Sequence, residues 1–93
     1  MKINIIKRKI LPILKREKVS RAGIFGSCAR GECGKNSDVD ILVQLPRSFD
    51  LFDLVRIKRT LEKALGRDVD LVEYCVIKKQ IKKQILGEEI RII

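Results

Sequence analysis

Apolar residues fall at Ile3, Ile6, Ile10, Ile13 and Leu14, a spacing of three or four that predicts an amphipathic helix over residues 1–18. Pro12 interrupts this pattern. Because proline removes a backbone donor, it either kinks the helix or sits in the first turn of a shorter one, and residues 13–16 are helical in both cases. The run Arg21 to Phe25 is short, apolar and bounded by Gly26, which predicts a first strand. Residues 28–32 read as one helical turn or a short helix, so Gly26 and Ser27 lie at a strand-to-helix junction. Residues 31–37 are rich in Gly, Lys, Asn and Ser and read as loop.

The clearest strand runs from Val39 to Leu45. Val39, Ile41, Val43 and Leu45 line one face, and Asp38, Asp40, Leu42 and Gln44 line the other. Leu42 makes the second face partly apolar, which predicts a central strand covered on both sides at its far end. Pro46 stops it. Phe52, Val55, Leu61 and Leu65 stand near helical spacing within residues 49–65, with Ser48 or Asp50 available as N-cap and Gly66 as the C-terminal stop. Residues 68–74 alternate as a third strand, and Ile77, Ile81, Ile85 and Leu86 predict a last helix over 76–86, ended by Gly87. Ile90, Ile92 and Ile93 look extended. They predict a short last strand or a docking tail, the latter offering a route to homo-oligomers. Together these elements predict an α+β fold, a small mixed sheet flanked by helices, over residues 1–93 as one domain.

Ninety-three residues supply one modest core and no second folded unit, so any acceptor substrate must come largely from a partner. The 21 Lys and Arg against 12 Asp and Glu give a net charge of +9, which favours phosphate-bearing ligands or an acidic partner. A solvated, heat-tolerant surface explains the same charge equally well. Cys28, Cys33 and Cys75 are odd in number, include no CxxC pair and have no histidine beside them. That argues against a zinc site or a disulfide framework and predicts reduced thiols in a cytoplasmic protein. No apolar run approaches bilayer length, and the N-terminus lacks the pattern of a signal peptide.

The candidate chemistry lies in GSCARGECGKNSDVDILV, residues 26–43. In a pleated strand, residues two apart share a face, so Asp38 and Asp40 place two carboxylates side by side. Bare carboxylates at that range repel, and either one takes a proton or a cation sits between them. For oxygen-only ligands the natural cation is a hard divalent ion such as Mg2+. The Gly26–Ser27 turn supplies the complementary half: glycine lets backbone N–H groups approach a phosphate, and the serine hydroxyl adds a donor. Asp70, on an otherwise apolar strand, is the candidate third ligand, or else an edge carboxylate paired with a nearby cation. With no histidine in the chain, a Ser-His or Cys-His nucleophile is excluded.

The Gly-Ser turn, ten residues, then Asp-x-Asp resembles the signature of the nucleotidyltransferase superfamily that includes DNA polymerase β and the CCA-adding enzymes. The fuller pattern Gly-Ser-x-Ala-Arg-Gly followed by Ser-Asp-x-Asp is similar to the minimal nucleotidyltransferases, including the MntA-type antitoxins, and the element order matches over nearly the whole chain. The resemblance implies that Gly26 and Ser27 hold a triphosphate and that Asp38 and Asp40 bind two Mg2+ ions. It implies further that Asp70 completes the site of the catalytic ion and helps deprotonate the attacking hydroxyl. By the same resemblance Arg30 is expected to contact phosphate or to fix the loop through a site aspartate, and Ser37 to hydrogen-bond the loop or a phosphate oxygen. The implied reaction is transfer of AMP from ATP to a hydroxyl, with a tyrosine of a HEPN-type toxin as first choice of acceptor. Tyr74, the only tyrosine, is either a self-modification site or structural. Two other readings are a non-catalytic antitoxin that neutralises its partner by covering it, and an RNA-end nucleotidyltransferase. The second is less favoured because few aromatics are available to stack bases.

Overall fold

The computed structural model describes residues 2–32, 34 and 38–93. The expected Ser37 contact and most of the 31–37 loop therefore lie outside the described residues. Chain order is α1 (Ile3–Arg16), β1 (Arg21–Phe25), α2 (Gly26–Ala29), β2 (Val39–Gln44), α3 (Leu51–Leu65), β3 (Val69–Glu73), a 3-10 turn (Tyr74–Val76), α4 (Lys79–Glu88) and β4 (Ile90–Arg91). The four strands form one mixed sheet in the order β3-β2-β1-β4. β1 pairs antiparallel with both β2 and β4, and β2 pairs parallel with β3. Parallel neighbours need a crossover, and α3 supplies it.

Alternation along the strands divides the sheet into two faces. Ala22, Ile24, Val39, Ile41, Val43, Val69 and Leu71 turn one way and bury against Ile6, Ile10 and Leu14 of α1 and Ile57, Leu61 and Leu65 of α3. The opposite face carries Gly23, Leu42 and Val72 in register, and beside them Phe25, Asp40 and Asp70. Leu42 is fully buried there yet stands outside the main cluster, because the Tyr74–Val76 turn packs against β2. The expectation of a central strand covered on both sides at its far end is met.

α1 runs unbroken through Pro12, which sits on the solvent side of the helix with Arg8 exposed one turn earlier. The carbonyl that proline leaves unbonded can thus turn to water. α3 opens on a reciprocal cap. Asp53 N donates to Asp50 Oδ1 at 3.0 Å, and Asp50 N donates to Asp53 Oδ2 at 2.9 Å. Gly66 closes it in the left-handed region at φ 67°. Asp50→Ala should cost about 1 kcal/mol, read as a lower denaturant midpoint at unchanged slope.

Three expectations need correction. Phe52 and Val55 are not on the buried face of α3; they are 84% and 38% exposed. At 100° per residue they stand roughly 140° and 160° around the helix from Ile57, and the six-residue gap from Val55 to Leu61 breaks a helical stripe. The last helix begins at Lys79 and continues through Gly87, because ion pairs and hydrogen bonds of Glu88 and Glu89 hold its end. None of its residues is buried. Cys28 is disulfide-bonded, whereas Cys75 is an exposed free thiol and Cys33 lies outside the described residues. An odd count without CxxC argues against a framework of bridges but not against a single one.

The C-terminal isoleucines dock on their own sheet. β4 pairs with β1, the backbone N–H groups of Ile92 and Ile93 donate to the Ala22 carbonyl at 2.9 and 3.1 Å, and both side chains pack partly buried on the core. Among the described residues, no helix is long and apolar enough to cross a membrane.

Candidate active site

The candidate site forms where β1 ends and β2 begins. β1 delivers Gly26 at φ 72°, a conformation that L side chains rarely adopt. α2 then turns the chain away, held by Glu32 N donating to the Ser27 carbonyl at 2.8 Å and Arg30 N to the Gly26 carbonyl at 3.2 Å. The glycine has a second reason to be there. A Cβ at Gly26 would stand 2.2 Å from Oδ2 of Asp40, so the turn closes directly on that carboxylate.

Strand pairing brings the third aspartate in. Asp40 pairs in register with Phe25 on one side and Asp70 on the other, so both aspartates project from the same face, away from the α1–α3 layer. Asp38 immediately precedes β2 and is exposed, as is Asp70, while Asp40 is half-buried. Burial pushes the Asp40 carboxyl above its ordinary range, the charges of Asp70 and Asp38 push it further, and Arg30 pulls against them. Five of the predicted site residues, Gly26, Ser27, Asp38, Asp40 and Asp70, thus share one end of the sheet. Among the described residues no three ligating side chains already converge as a closed ion cage. The donors are nevertheless all carboxylate oxygens, and their mutual repulsion at Asp40 is what a hard divalent cation would relieve.

Arg30 makes no ion pair with a site aspartate among the described residues. Its Nη1 lies 3.2 Å from Glu88 and its Nε 3.4 Å from Glu32, so it ties the signature loop to the end of α4 and acts on Asp40 only through its field. Periodicity could not show this pairing, since Glu88 follows 58 residues later. The next residue, Glu89, lies across Gly23, where a Cβ would meet Oε2 at 2.2 Å. It accepts the Tyr74 hydroxyl and pairs with Arg21 at 3.6 Å, and the Arg21 guanidinium covers the Tyr74 ring at 4.4 Å. Tyr74 is 7% exposed, and burial and then Glu89 raise its pKa strongly. A buried, bonded phenol is a poor acceptor, so the structural role of Tyr74 stands over self-modification. Glu89→Ala should cost about 2 kcal/mol by orphaning the hydroxyl and the guanidinium, against about 1 for Tyr74→Phe, both measured by chemical denaturation.

A cavity of about 450 Å³, lined in part by Arg21, Gln44, Tyr74 and Lys82, opens at the other end of the strands. It does not include the aspartates.

A strand feeding a glycine-serine turn that closes on an aspartate of the next strand, with a further aspartate in register on a parallel neighbour, defines a nucleotidyltransferase fold. Residues 8–93 match the family described as polymerase beta, nucleotidyltransferase, and the chain belongs to that family. It is 48% identical over 93 residues, all of both chains, to MJ0435 of Methanocaldococcus jannaschii, named as a candidate protein adenylyltransferase. It is 41% identical over 70 residues to the protein adenylyltransferase MntA of Thermococcus cleftensis, covering 75% of this chain and 71% of the relative. A crystal structure of a toxin-antitoxin with AMP-PNP superposes with a TM-score of 0.82 at 27% identity, over 94% of this chain and 72% of that one.

Proposed function

We propose that this chain transfers AMP from ATP to a hydroxyl of a partner protein, a tyrosine of a HEPN-type toxin, and so acts as the antitoxin of the pair. The observation that carries the reading is the shared placement of Asp40, Asp70 and the Gly26 turn. The relatives named as protein adenylyltransferases, and the neighbouring toxin-antitoxin structure with an ATP analogue, support the donor and the kind of acceptor.

Gly26 and Ser27 orient the triphosphate, glycine by admitting backbone N–H groups close to it and serine through its hydroxyl. Asp38 and Asp40 would hold Mg2+ ions, with Asp70 completing the set, and bound ions supply neutralisation of the charge on the entering and leaving oxygens. Asp70 lies on the edge strand and is exposed. An acceptor hydroxyl can therefore approach from that edge, and Asp70 accepts its proton as the oxygen attacks the α-phosphorus and pyrophosphate leaves in line. Arg30 positions the signature loop through Glu88.

The test is intact mass of a HEPN-type protein of the same genome after incubation with this chain, Mg2+ and ATP, beside an Asp38→Asn control. The expected result is an added AMP that disappears in the control and maps to tyrosine. Tight complex formation without a mass shift would replace transfer with neutralisation by binding, and addition to an RNA end instead would replace the acceptor.

A further inference from the structure

Three separate elements bring a cation to the cavity at the far end of the strands. β1 contributes Arg21, the turn after β2 contributes Arg47, and α4 contributes Lys82. Phe49 N donates to the Pro46 carbonyl at 3.0 Å and closes that turn. Leu45, Pro46 and Phe49 thereby form an apolar wall beside the cations, with Leu45 and Phe49 packed partly buried on the core. Gln44 ends β2 at the same place, about 13 Å along the strand from Asp40. A ligand held there is apart from the aspartates.

Size and charge together narrow what fits. A volume of about 450 Å³ is that of a small-molecule site. Among the described residues of the wall, three carry positive charge and Glu73 alone carries negative charge. The excess matches a phosphate group of charge about −2 better than a single carboxylate. Arg21 is already oriented for an anion. Its guanidinium lies 4.4 Å over the Tyr74 ring and 3.6 Å from Glu89, yet its Nε is buried with no acceptor among the described residues. The guanidinium is therefore not saturated by its neighbours, and with the side chain 34% exposed an oxyanion can reach it. Glu89 does not compete from the wall, because its own side chain is only 5% exposed beneath Arg21. The rest of the wall suits a nucleobase. Leu45, Pro46 and Phe49 offer it an apolar surface, and the Gln44 carboxamide carries the donor and acceptor that read a base edge. A sugar phosphate would leave the apolar wall uncovered, and a lipid phosphate would leave the carboxamide without a partner.

We infer that this cavity binds a nucleoside monophosphate, with the phosphate among Arg21, Arg47 and Lys82 and the base against Leu45, Pro46 and Phe49. Cys75, an exposed free thiol in the same wall, reports occupancy. The test follows alkylation of Cys75 by iodoacetamide, mapped by peptide mass, in the full chain without Mg2+, with AMP, GMP, CMP and UMP in turn. Calorimetry gives the affinity of the same nucleotides for wild type and for the double variant Arg47→Glu, Lys82→Glu. Both residues are exposed and neither makes an ion pair among the described residues, so the variant should keep the wild-type melting temperature. At least one nucleotide is expected to slow Cys75 alkylation severalfold in wild type. The double variant should lose that protection and raise Kd about tenfold or more. Protection by none of the four overturns the site. So does binding that leaves Cys75 reactive and is unchanged in the double variant, which assigns the nucleotide to the Gly26 turn. Equal protection by the free nucleoside removes the phosphate contact, equal protection by inorganic phosphate removes the base wall, and either result overturns the nucleoside monophosphate as ligand.

Discussion

Asp40→Asn reduces nucleotidyl transfer about a thousandfold or more, which is ~4 kcal/mol or more of transition-state stabilisation, while the metal-free protein unfolds at the same temperature as wild type or higher. The asymmetry follows from where Asp40 sits. Its carboxylate is half-buried under the Gly26 turn, in register with Asp70 and two residues from Asp38, and burial and both neighbours raise its pKa above the ordinary 3.8. A carboxyl with a raised folded-state pKa binds its proton more tightly folded than unfolded. Its favourable contribution is therefore complete below pH 3.8 and lost as pH rises through the folded value. At neutral pH the ionised group weakens the fold. Asparagine removes this loss, so the variant should show a flatter stability profile across the acid range. Mg2+ reverses the order: it should raise the melting temperature of wild type and leave Asp40→Asn nearly unmoved. A variant that still transfers AMP, or a wild type indifferent to Mg2+, would remove Asp40 from the metal site.

Gly26→Ala should lose both stability and transfer, whereas Gly66→Ala loses stability alone. Both glycines have positive φ, 72° and 67°, so each alanine costs about 1–2 kcal/mol of backbone strain. Gly66 has nothing within 4 Å of an added Cβ, but at Gly26 the methyl would stand 2.2 Å from Asp40 Oδ2. The carboxylate or the turn must move, and a displacement of that order in a positioned site costs about a hundredfold in rate. Gly66→Ala therefore separates strain from displacement. Steady-state kinetics on both variants at matched folded fraction measures the difference, and equal rates would show that the Gly26 turn is a backbone requirement with no bearing on the site.

Much of this architecture was legible in the order of residues. β1 occupies the predicted Arg21–Phe25, the Asp50 cap and Gly66 stop frame α3 as expected, and the alternation in 39–45 marked the face on which Asp40 stands. These features are local: side-chain period, cap chemistry and turn residues act within a few positions of themselves. The Gly-Ser and Asp-x-Asp spacing was equally local, which is why it pointed to the nucleotidyltransferases before any strand was paired.

Other features had no local signal. Phe52 and Val55 look apolar enough for a core, and only the packing of α3 on α1 and β3 chose Ile57 and Leu61 to face inward. Arg30 carries a charge that any of several acidic residues could satisfy, and the approach of α4 to α2 gave it to Glu88. Nothing near Tyr74 in the chain marks it as structural; Glu89 and Arg21, from distant segments, bond and cover it. The order of residues alone specifies the kind of each element and sets the Gly-Ser turn and Asp40 at the ends of neighbouring strands, because both depend on residues within one turn or one strand. The parallel register that sets Asp70 beside Asp40, the burial that perturbs Asp40 and the outward face of α3 were decided only in the tertiary structure. Each depends on contacts between distant segments, where several pairings satisfy the same local pattern and the shared core selects one.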